Sequence, residues 1–147
     1  MGMIEDLGPG PVGIDTALFI YFIEEHPRYL HVIEPLFADA DEGKRELVTS
    51  AITLLEVLIV PFRAQDFTLA ERYEDLLTRS AGIRIVELTR DQLRAAAQLR
   101  AATAVRTPDA LQLAAAITSG CRNFITNDRR LPAMAGIRVL QLADFAN

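Results

Sequence analysis

The chain has 147 residues, of which half are hydrophobic and 24% are charged, and 20 acidic residues against 15 basic ones give a formal charge of −5. This length suits one compact domain, and the apolar fraction is high enough to bury a core, which excludes intrinsic disorder for the bulk of the chain. The net negative charge argues against a nucleic-acid-binding protein, because such proteins usually have a basic binding surface.

Short apolar runs alternate with amphipathic segments from residue 12 onward. In chain order the pattern predicts a strand at 12–14, helices at 17–22 and 29–40, a strand at 47–50, helices at 53–60 and 69–77, a strand at 83–86, helices at 89–102 and 107–118, and strands at 123–126 and 137–140. Pro61 is expected to stop or kink the third helix, and Gly120 to end the last one.

This alternation is typical of a mostly parallel sheet covered by helices on both faces. We therefore predict a single α/β domain over residues 12–147, with three α/β/α layers and a central, mostly parallel sheet of about five strands. Residues 1–11 are acidic and rich in Gly and Pro, and we expect them to form a flexible N-terminal segment.

The cysteine content and the length of the apolar runs exclude several further classes of protein. Cys121 is the only cysteine, so the chain can form neither an internal disulfide nor a zinc site of paired cysteines. No apolar run reaches the ~18 residues that a membrane span needs, and the first eleven residues do not resemble a secretory signal. We therefore expect a soluble protein of the cytoplasm that does not contact a membrane.

Residues 8–13 match the dinucleotide-binding pattern GxGxxG letter for letter. That pattern binds a pyrophosphate only where it follows a strand and begins a helix, because the amides of the helix N-terminus hold the phosphate oxygens. Here the glycines precede the first predicted strand, and Pro9 and Pro11 remove two amide donors. No serine stands in the setting of a hydrolase nucleophile. Nucleotide-cofactor and triad chemistry are therefore not expected.

Three aspartates stand where the predicted topology brings side chains together. Asp15 and Asp128 each follow a predicted strand, and Asp109 lies in the first turn of a predicted helix. Ligands of parallel sheets gather outside the carboxyl ends of the strands, and all three positions belong to that edge. Each aspartate taken alone also suits a helix cap, a first-turn charge or a turn residue with no further role.

Glu56 differs from the three aspartates because its predicted helix is apolar on nearly every side. Only Thr49, Thr53, Glu56 and Arg63 form a narrow polar stripe. A carboxylate on a buried helix is costly unless it is paired or binds a metal, although an exposed stripe or an ion pair to another helix remains the alternative. Four clustered carboxylates need a cation to stay ionised together, and an all-oxygen site of this kind suits Mg²⁺ or Mn²⁺.

Four short motifs resemble the acidic motifs of the PIN-domain ribonucleases, most closely those of the VapC-type toxins of toxin–antitoxin modules. The motifs are Ile14-Asp15-Thr16, Thr53-Leu54-Leu55-Glu56, Arg106-Thr107-Pro108-Asp109-Ala110-Leu111 with Ala114-Ala115-Ala116, and Phe124-Ile125-Thr126-Asn127-Asp128. The resemblance extends from about Val12 to Leu140. The family usually has Asn two positions after the first Asp, where this chain has Ala17, and the change removes a polar group beside Asp15.

The resemblance implies a metal-dependent endoribonuclease that hydrolyses RNA phosphodiester bonds as the toxin of a type II toxin–antitoxin system. It assigns catalysis and the binding of one or two Mg²⁺ or Mn²⁺ ions to Asp15, Glu56, Asp109 and Asp128. Their neighbours are expected to contact the RNA or the metal shell, and these are Thr16, Arg106, Thr126, Asn127, Arg129 and Arg130. The family also implies a small VapB-like antitoxin and a homodimer. The alternative is a catalytically weak or inactive PIN-like module that binds RNA or protein.

The negative net charge is unevenly distributed along the chain. Residues 1–89 hold 16 acids and 7 bases, a charge of −9, whereas residues 90–147 hold 4 acids and 8 arginines, a charge of +4. Two of those four acids are Asp109 and Asp128, which a metal would neutralise. The arginines of the second half could then contact phosphate, although surface ion pairs are the alternative for most of them. The total charge therefore does not exclude RNA as a substrate.

Overall fold

The computed structural model describes residues 2–146, in which the predicted elements form one sheet and its covering helices. The strands are β1 (Val12–Ile14), β2 (Leu47–Ser50), β3 (Ile83–Val86), β4 (Asn123–Thr126) and β5 (Arg138–Gln141). The helices are α1 (Met3–Leu7), α2 (Thr16–Ile23), α3 (Leu30–Asp41), α4 (Ile52–Arg63), α5 (Phe67–Arg79), α6 (Arg90–Ala102) and α7 (Thr107–Thr118), followed by a final 3₁₀ turn at Leu142–Phe145. All strand pairs are parallel in the order β3-β2-β1-β4-β5.

The sheet separates two hydrophobic cores, which confirms the predicted three-layer architecture. Successive residues of a strand point to opposite faces. Ile14 and Ile125 accordingly pack with helices α1 to α5 on one face. Val48 and Phe124 pack with α6 and α7 on the other. Each strand end is thus fixed by packing on both sides.

Helix α7 lies close to β1 because both elements carry small residues. Gly13 faces the helix, and a Cβ atom placed there would lie 2.6 Å from Cβ of Ala116 and 2.8 Å from Cδ1 of Phe124. Residues 110–116 of the helix are all buried. The first turn of α7, which carries Asp109, is therefore held firmly at the carboxyl edge of the sheet.

The predicted end of the helix at residues 53–60 differs from the structure. Helix α4 continues through Pro61 to Arg63, so Pro61 does not stop it. The proline lies in the last turn, where its missing N–H removes a single intrahelical hydrogen bond. Helix α7 begins at Thr107 as predicted, and the residue at its N-cap position is Arg106, whose backbone is extended.

Part of the N-terminal segment, for which we predicted flexibility, forms the short helix α1. Met3 and Leu7 are four residues apart, so they share one face of the short helix α1, and both are buried in the first core. Nδ2 of Asn123 donates a hydrogen bond to the carbonyl of Leu7 at 3.1 Å. Met1 and Asn147 lie outside the described residues. Within the described range, no helix is both long and apolar enough to cross a membrane.

Candidate active site

The strand order reverses between β1 and β4, and this point defines the candidate site. From β1 the chain winds outward through β2 and β3, and it then returns to place β4 on the other side of β1. In open parallel sheets, ligands bind outside the carboxyl ends of the strands at such a switch point. Asp15 directly follows β1, and Asn127 and Asp128 directly follow β4.

Asp15 accepts hydrogen bonds from the first residue of α2 and from the last residue of β4. Its Oδ1 accepts from the backbone N–H of Thr16 at 2.8 Å, so it caps α2. Its Oδ2 accepts from the hydroxyl of Thr126 at 2.7 Å. The same hydroxyl oxygen accepts from the backbone N–H of Asp128 at 3.1 Å. Thr126 therefore connects the first and last acidic motifs.

Glu56 reaches this group from the second turn of α4. Its Oε1 accepts from the hydroxyl of Thr16 at 2.6 Å. Thr16 thus binds two of the four predicted carboxylates, Asp15 through its backbone N–H and Glu56 through its side chain. Thr53, from the polar stripe of α4, faces inward, because it is fully buried and its hydroxyl lies 3.0 Å from that of Thr16.

Asp109 completes the group from the first turn of α7. Burial is the main cause that raises its pKa above the usual value, and the negative charges of Asp15 and Asp128 raise it further. Burial likewise raises the pKa of Asp15, with added repulsion from Glu56 and Asp128, although the hydrogen bonds from Thr126 and Thr16 oppose the shift. Asp15 therefore lies within electrostatic range of the other three predicted carboxylates.

Asp128 is held in a different way, because it forms an ion pair with Arg130. Its Oδ2 accepts from Nη2 of Arg130 at 2.9 Å, and its Oδ1 accepts from Nε at 3.0 Å and from the backbone N–H of the same residue at 2.9 Å. This pairing lowers the pKa of Asp128. Arg130, predicted from the resemblance to contact RNA, is thus engaged by a carboxylate here.

Among the other residues predicted to contact RNA, Arg106 and Asn127 lie beside the site, whereas Arg129 is paired elsewhere. Arg106 is exposed at the cap of α7, and its positive charge acts on Asp109 and Asp128. Asn127 donates from Nδ2 to the hydroxyl of Tyr21 at 3.2 Å. Arg129 instead pairs with Asp144 in the final 3₁₀ turn at 2.7 Å.

The donor set fits a divalent cation in its chemistry. Within residues 2–146, no three His, Cys, Asp or Glu side chains lie close enough together to hold a metal ion. In this arrangement Oε1 of Glu56 accepts a hydrogen bond from Thr16, and Asp128 is paired with Arg130. The raised pKa values of Asp15 and Asp109 come mainly from burial and secondarily from the neighbouring carboxylates, and a divalent cation bound by oxygen ligands would favour the ionised forms against both effects.

Sequence reasoning missed Gln112, which lies beneath the carboxylates. Its side chain is 2% exposed and bonds to Thr16, Thr49 and Thr53. The available signal was a lone amide in an otherwise apolar run of α7, residues 110–116, because a buried amide requires hydrogen-bonding partners.

An apolar cavity of about 640 Å³ lies between α3 and α5, and none of the candidate site residues lines it.

The raised pKa of Asp109 gives a testable pH dependence for the metal-free protein. Folded Asp109 binds its proton more tightly than the unfolded chain does, so its contribution to the free energy of unfolding is greatest below about pH 4 and falls as the pH rises through the folded-state pKa. Asp109→Asn does not titrate. In EDTA it is expected to gain stability relative to wild type over that range, as measured by urea unfolding, and a difference independent of pH would contradict this.

These features define a parallel α/β/α domain with a carboxylate site at the switch point of its sheet. A family model for the PIN domain matches residues 12–137. The chain therefore belongs to the PIN domain family, whose members are nucleases. No match was found among curated proteins by sequence.

Several solved structures share this fold. VapBC2 from Rickettsia felis bound to a promoter DNA fragment is 15% identical, with a TM-score of 0.67 over 90% of this chain and 98% of that one. A toxin–antitoxin complex from Klebsiella pneumoniae is 20% identical, with a TM-score of 0.64 over 90% and 97%. VapC20 from Mycobacterium tuberculosis, a sarcin–ricin loop cleaving toxin, is 17% identical, with a TM-score of 0.61 over 78% and 86%. At these identities the likeness concerns the fold alone.

Proposed function

We propose that the protein is a Mg²⁺- or Mn²⁺-dependent endoribonuclease and the toxin of a type II toxin–antitoxin system, acting in the cytoplasm. The observation that carries this proposal is the convergence of Asp15, Glu56, Asp109 and Asp128 at the switch point, where burial and mutual repulsion raise the pKa of Asp15 and Asp109. Membership of the PIN domain family supports nuclease chemistry, and the VapBC and VapC neighbours support the toxin assignment.

In this proposal the acidic residues have distinct roles. Asp15, Asp109 and Asp128 hold the divalent ion, with Glu56 completing the shell directly or through water. When bound, the ion lowers the pKa of a water molecule and neutralises charge on the scissile phosphate. Oε1 of Glu56 is taken by the hydroxyl of Thr16, so Oε2 is the oxygen left to orient the attacking water and accept its proton.

The arginines beside the site would bind the phosphate backbone. Arg106 is exposed next to Asp109, and Arg130 is exposed but paired with Asp128. A cation that binds Asp128 competes with Arg130 for the same oxygens and would free its guanidinium for a phosphate of the RNA. Thr126 bonds to Asp15 and to the backbone of Asp128, and both Thr126 and Asn127 are proposed to contact the metal shell or the phosphate.

A cleavage assay tests the proposed activity. Total RNA should be cut at internal sites by the purified protein in Mg²⁺ or Mn²⁺, and EDTA should abolish cutting. The same ions should raise the melting temperature, because a ligand at 100 times its dissociation constant stabilises the native state by about 2.7 kcal/mol. Equal cleavage in EDTA would contradict a metal-dependent nuclease. RNA binding without cleavage in either ion would favour the non-catalytic module, for which the change at Ala17 is the relevant feature.

The proposal also includes a VapB-like antitoxin and a homodimer. Large apolar side chains are exposed along α4 and at the start of α5, namely Leu55, Ile59, Val60, Phe62 and Phe67. An exposed apolar surface of this kind is typical of a protein interface. Co-expression with the product of the adjacent reading frame is expected to give a stable complex in size-exclusion chromatography, and elution of both proteins apart would contradict the antitoxin assignment.

A further inference from the structure

The side-chain amide of Gln112 forms four hydrogen bonds beneath the carboxylates. Its Oε1 accepts from the hydroxyl of Thr49 and from the backbone N–H of Ser50, both at 3.0 Å. Its Nε2 donates to the hydroxyl oxygens of Thr53 at 2.5 Å and Thr16 at 3.1 Å. One amide thus joins α7 to β2, α4 and α2, and its hydrogen-bonding capacity is fully used.

The orientation of this amide is fixed by the backbone of β2. The N–H of Ser50 can only donate, so the atom of Gln112 that faces it must be the oxygen. Nε2 must then face Thr53 and Thr16. A flipped amide would set two donors against each other at Ser50, which is costly in a buried site.

The fixed amide also decides the direction of the neighbouring hydrogen bonds. Thr49 donates to Oε1 of Gln112, and Thr53 accepts from Nε2 and lies 2.7 Å from the hydroxyl of Thr49. The other hydrogen of Nε2 goes to Thr16, whose hydroxyl oxygen therefore acts as an acceptor. The hydroxyl hydrogen of Thr16 is left for Oε1 of Glu56 at 2.6 Å, and an ionised carboxylate is the stronger acceptor.

We propose that Gln112 is a positioning residue that acts through Thr16 to hold Glu56 in the orientation required for metal binding and RNA cleavage. The inference rests on the proposed function, because it assigns a task to Glu56. Without the amide, the Thr16 hydroxyl is free to rotate toward Thr53, which lies 3.0 Å away, and Glu56 loses its directed donor. Glu56 is partly exposed, and within residues 2–146 its side chain accepts a hydrogen bond from Thr16 alone.

The main test compares Gln112→Met with the matched control Gln92→Met. Gln92 is the other buried amide on this face of the sheet, where its Nε2 donates to Thr118 at 2.7 Å, away from the carboxylates. Loss of an outer-shell partner costs about 10- to 100-fold in metal affinity or activity. Gln112→Met is therefore expected to raise the Mn²⁺ concentration at the midpoint of the melting-temperature shift, and to lower kcat, by about that factor.

The control separates positioning from stability. Both variants lose buried hydrogen bonds and should melt at a lower temperature in EDTA, but Gln92→Met is expected to keep the wild-type Mn²⁺ midpoint and kcat. A wild-type Mn²⁺ midpoint in folded Gln112→Met would overturn the inference. That result is distinct from failure of the proposed function, in which wild type itself would show neither a Mn²⁺ shift nor cleavage.

A second pair of variants applies if Gln112→Met does not fold. Thr16→Val keeps the shape of the side chain and removes only the hydroxyl, whereas Thr16→Ser keeps the hydroxyl. Thr16→Val should raise the Mn²⁺ midpoint, and Thr16→Ser should restore it. Equal midpoints for the two variants would exclude the route through Thr16. Where Gln112→Met folds, adding it to Thr16→Val should raise the Mn²⁺ midpoint little further, since the effects of substitutions within one hydrogen-bonded network are not additive.

Discussion

Asp109→Asn is expected to lower metal-dependent RNA cleavage by about a thousandfold while the fold is kept. A carboxylate that holds the metal contributes several kcal/mol of transition-state stabilisation, and about 4 kcal/mol corresponds to this factor. Asn has nearly the same shape and can remain in the first turn of α7. It cannot supply the negative charge that a divalent cation needs beside Asp15 and Asp128.

In the metal-free protein, loss of the charge at Asp109 is expected to stabilise the fold, although it lowers cleavage when metal is present. Burial and the charges of Asp15 and Asp128 disfavour the ionised form of Asp109, so the neutral variant should melt in EDTA at or above the wild-type temperature. Addition of Mn²⁺ should shift the melting temperature of wild type but not of the variant. Undiminished cleavage by Asp109→Asn would remove this residue from the site.

The matched control for this experiment is Asp91→Asn. Asp91 occupies the first turn of the neighbouring helix α6, so it shares the favourable interaction with the helix dipole. It is exposed and pairs only with Arg94, at 3.0 Å. Cleavage and the Mn²⁺ shift should both be unchanged in this variant. A comparable loss in Asp91→Asn would mean that a first-turn charge, rather than the site, explains the effect at Asp109.

Gly82→Ala is expected to destabilise the fold strongly, because the added methyl group would meet backbone atoms. Gly82 has φ 81°, which is unfavourable for a residue with a side chain, by about 1–2 kcal/mol. A Cβ atom would also overlap the backbone carbonyl of Ala40 in α3, with the carbonyl carbon at 2.6 Å. Backbone cannot move aside as a side chain can, so the total cost should reach about 3 kcal/mol or more. This corresponds to a fall of about 10 °C in the melting temperature.

Gly43→Ala separates the two causes of this effect. Gly43 has φ 77°, close to that of Gly82, and follows the same helix α3, but a Cβ atom there meets nothing within 4 Å. It should therefore cost only the conformational part, about 1–2 kcal/mol. Thermal melting of the two variants measures the difference. Equal losses would mean that β3 and α3 separate easily and that the contact at Ala40 does not limit their approach.

The sequence predicted the strands, and the edge of the sheet at which the acidic residues lie, because the signals for both are local. Each of the five short apolar runs became a strand, and the edge at which parallel strands end follows from their direction alone. Asp15 and Asp128 could therefore be assigned to one edge before any contact was known. Glu56 was identifiable because a carboxylate on an almost wholly apolar helix requires a partner.

Tertiary contacts alone decided how these residues are held. Whether Arg130 contacts RNA or Asp128, and whether Arg129 turns to Asp144, depends on side-chain directions that no spacing encodes. The helix over residues 3–7 is likewise stabilised by packing and by the donor at Asn123, which is distant in sequence. A five-residue helix has too few internal hydrogen bonds to form without such contacts.

The negative total charge gave the least information about nucleic-acid binding, because it averages an acidic first part of the chain with a basic second part. The sequence by itself determined the parallel α/β/α architecture and the edge of the sheet at which the candidate acidic residues lie. The tertiary structure decided which groups surround those residues, including the amide of Gln112, which bonds to Thr16 and whose four partners come from three other elements of the fold. The periodicity of apolar residues and the direction of each strand are properties of the chain itself. The geometry of a buried hydrogen-bond network exists only after the helices and strands have packed.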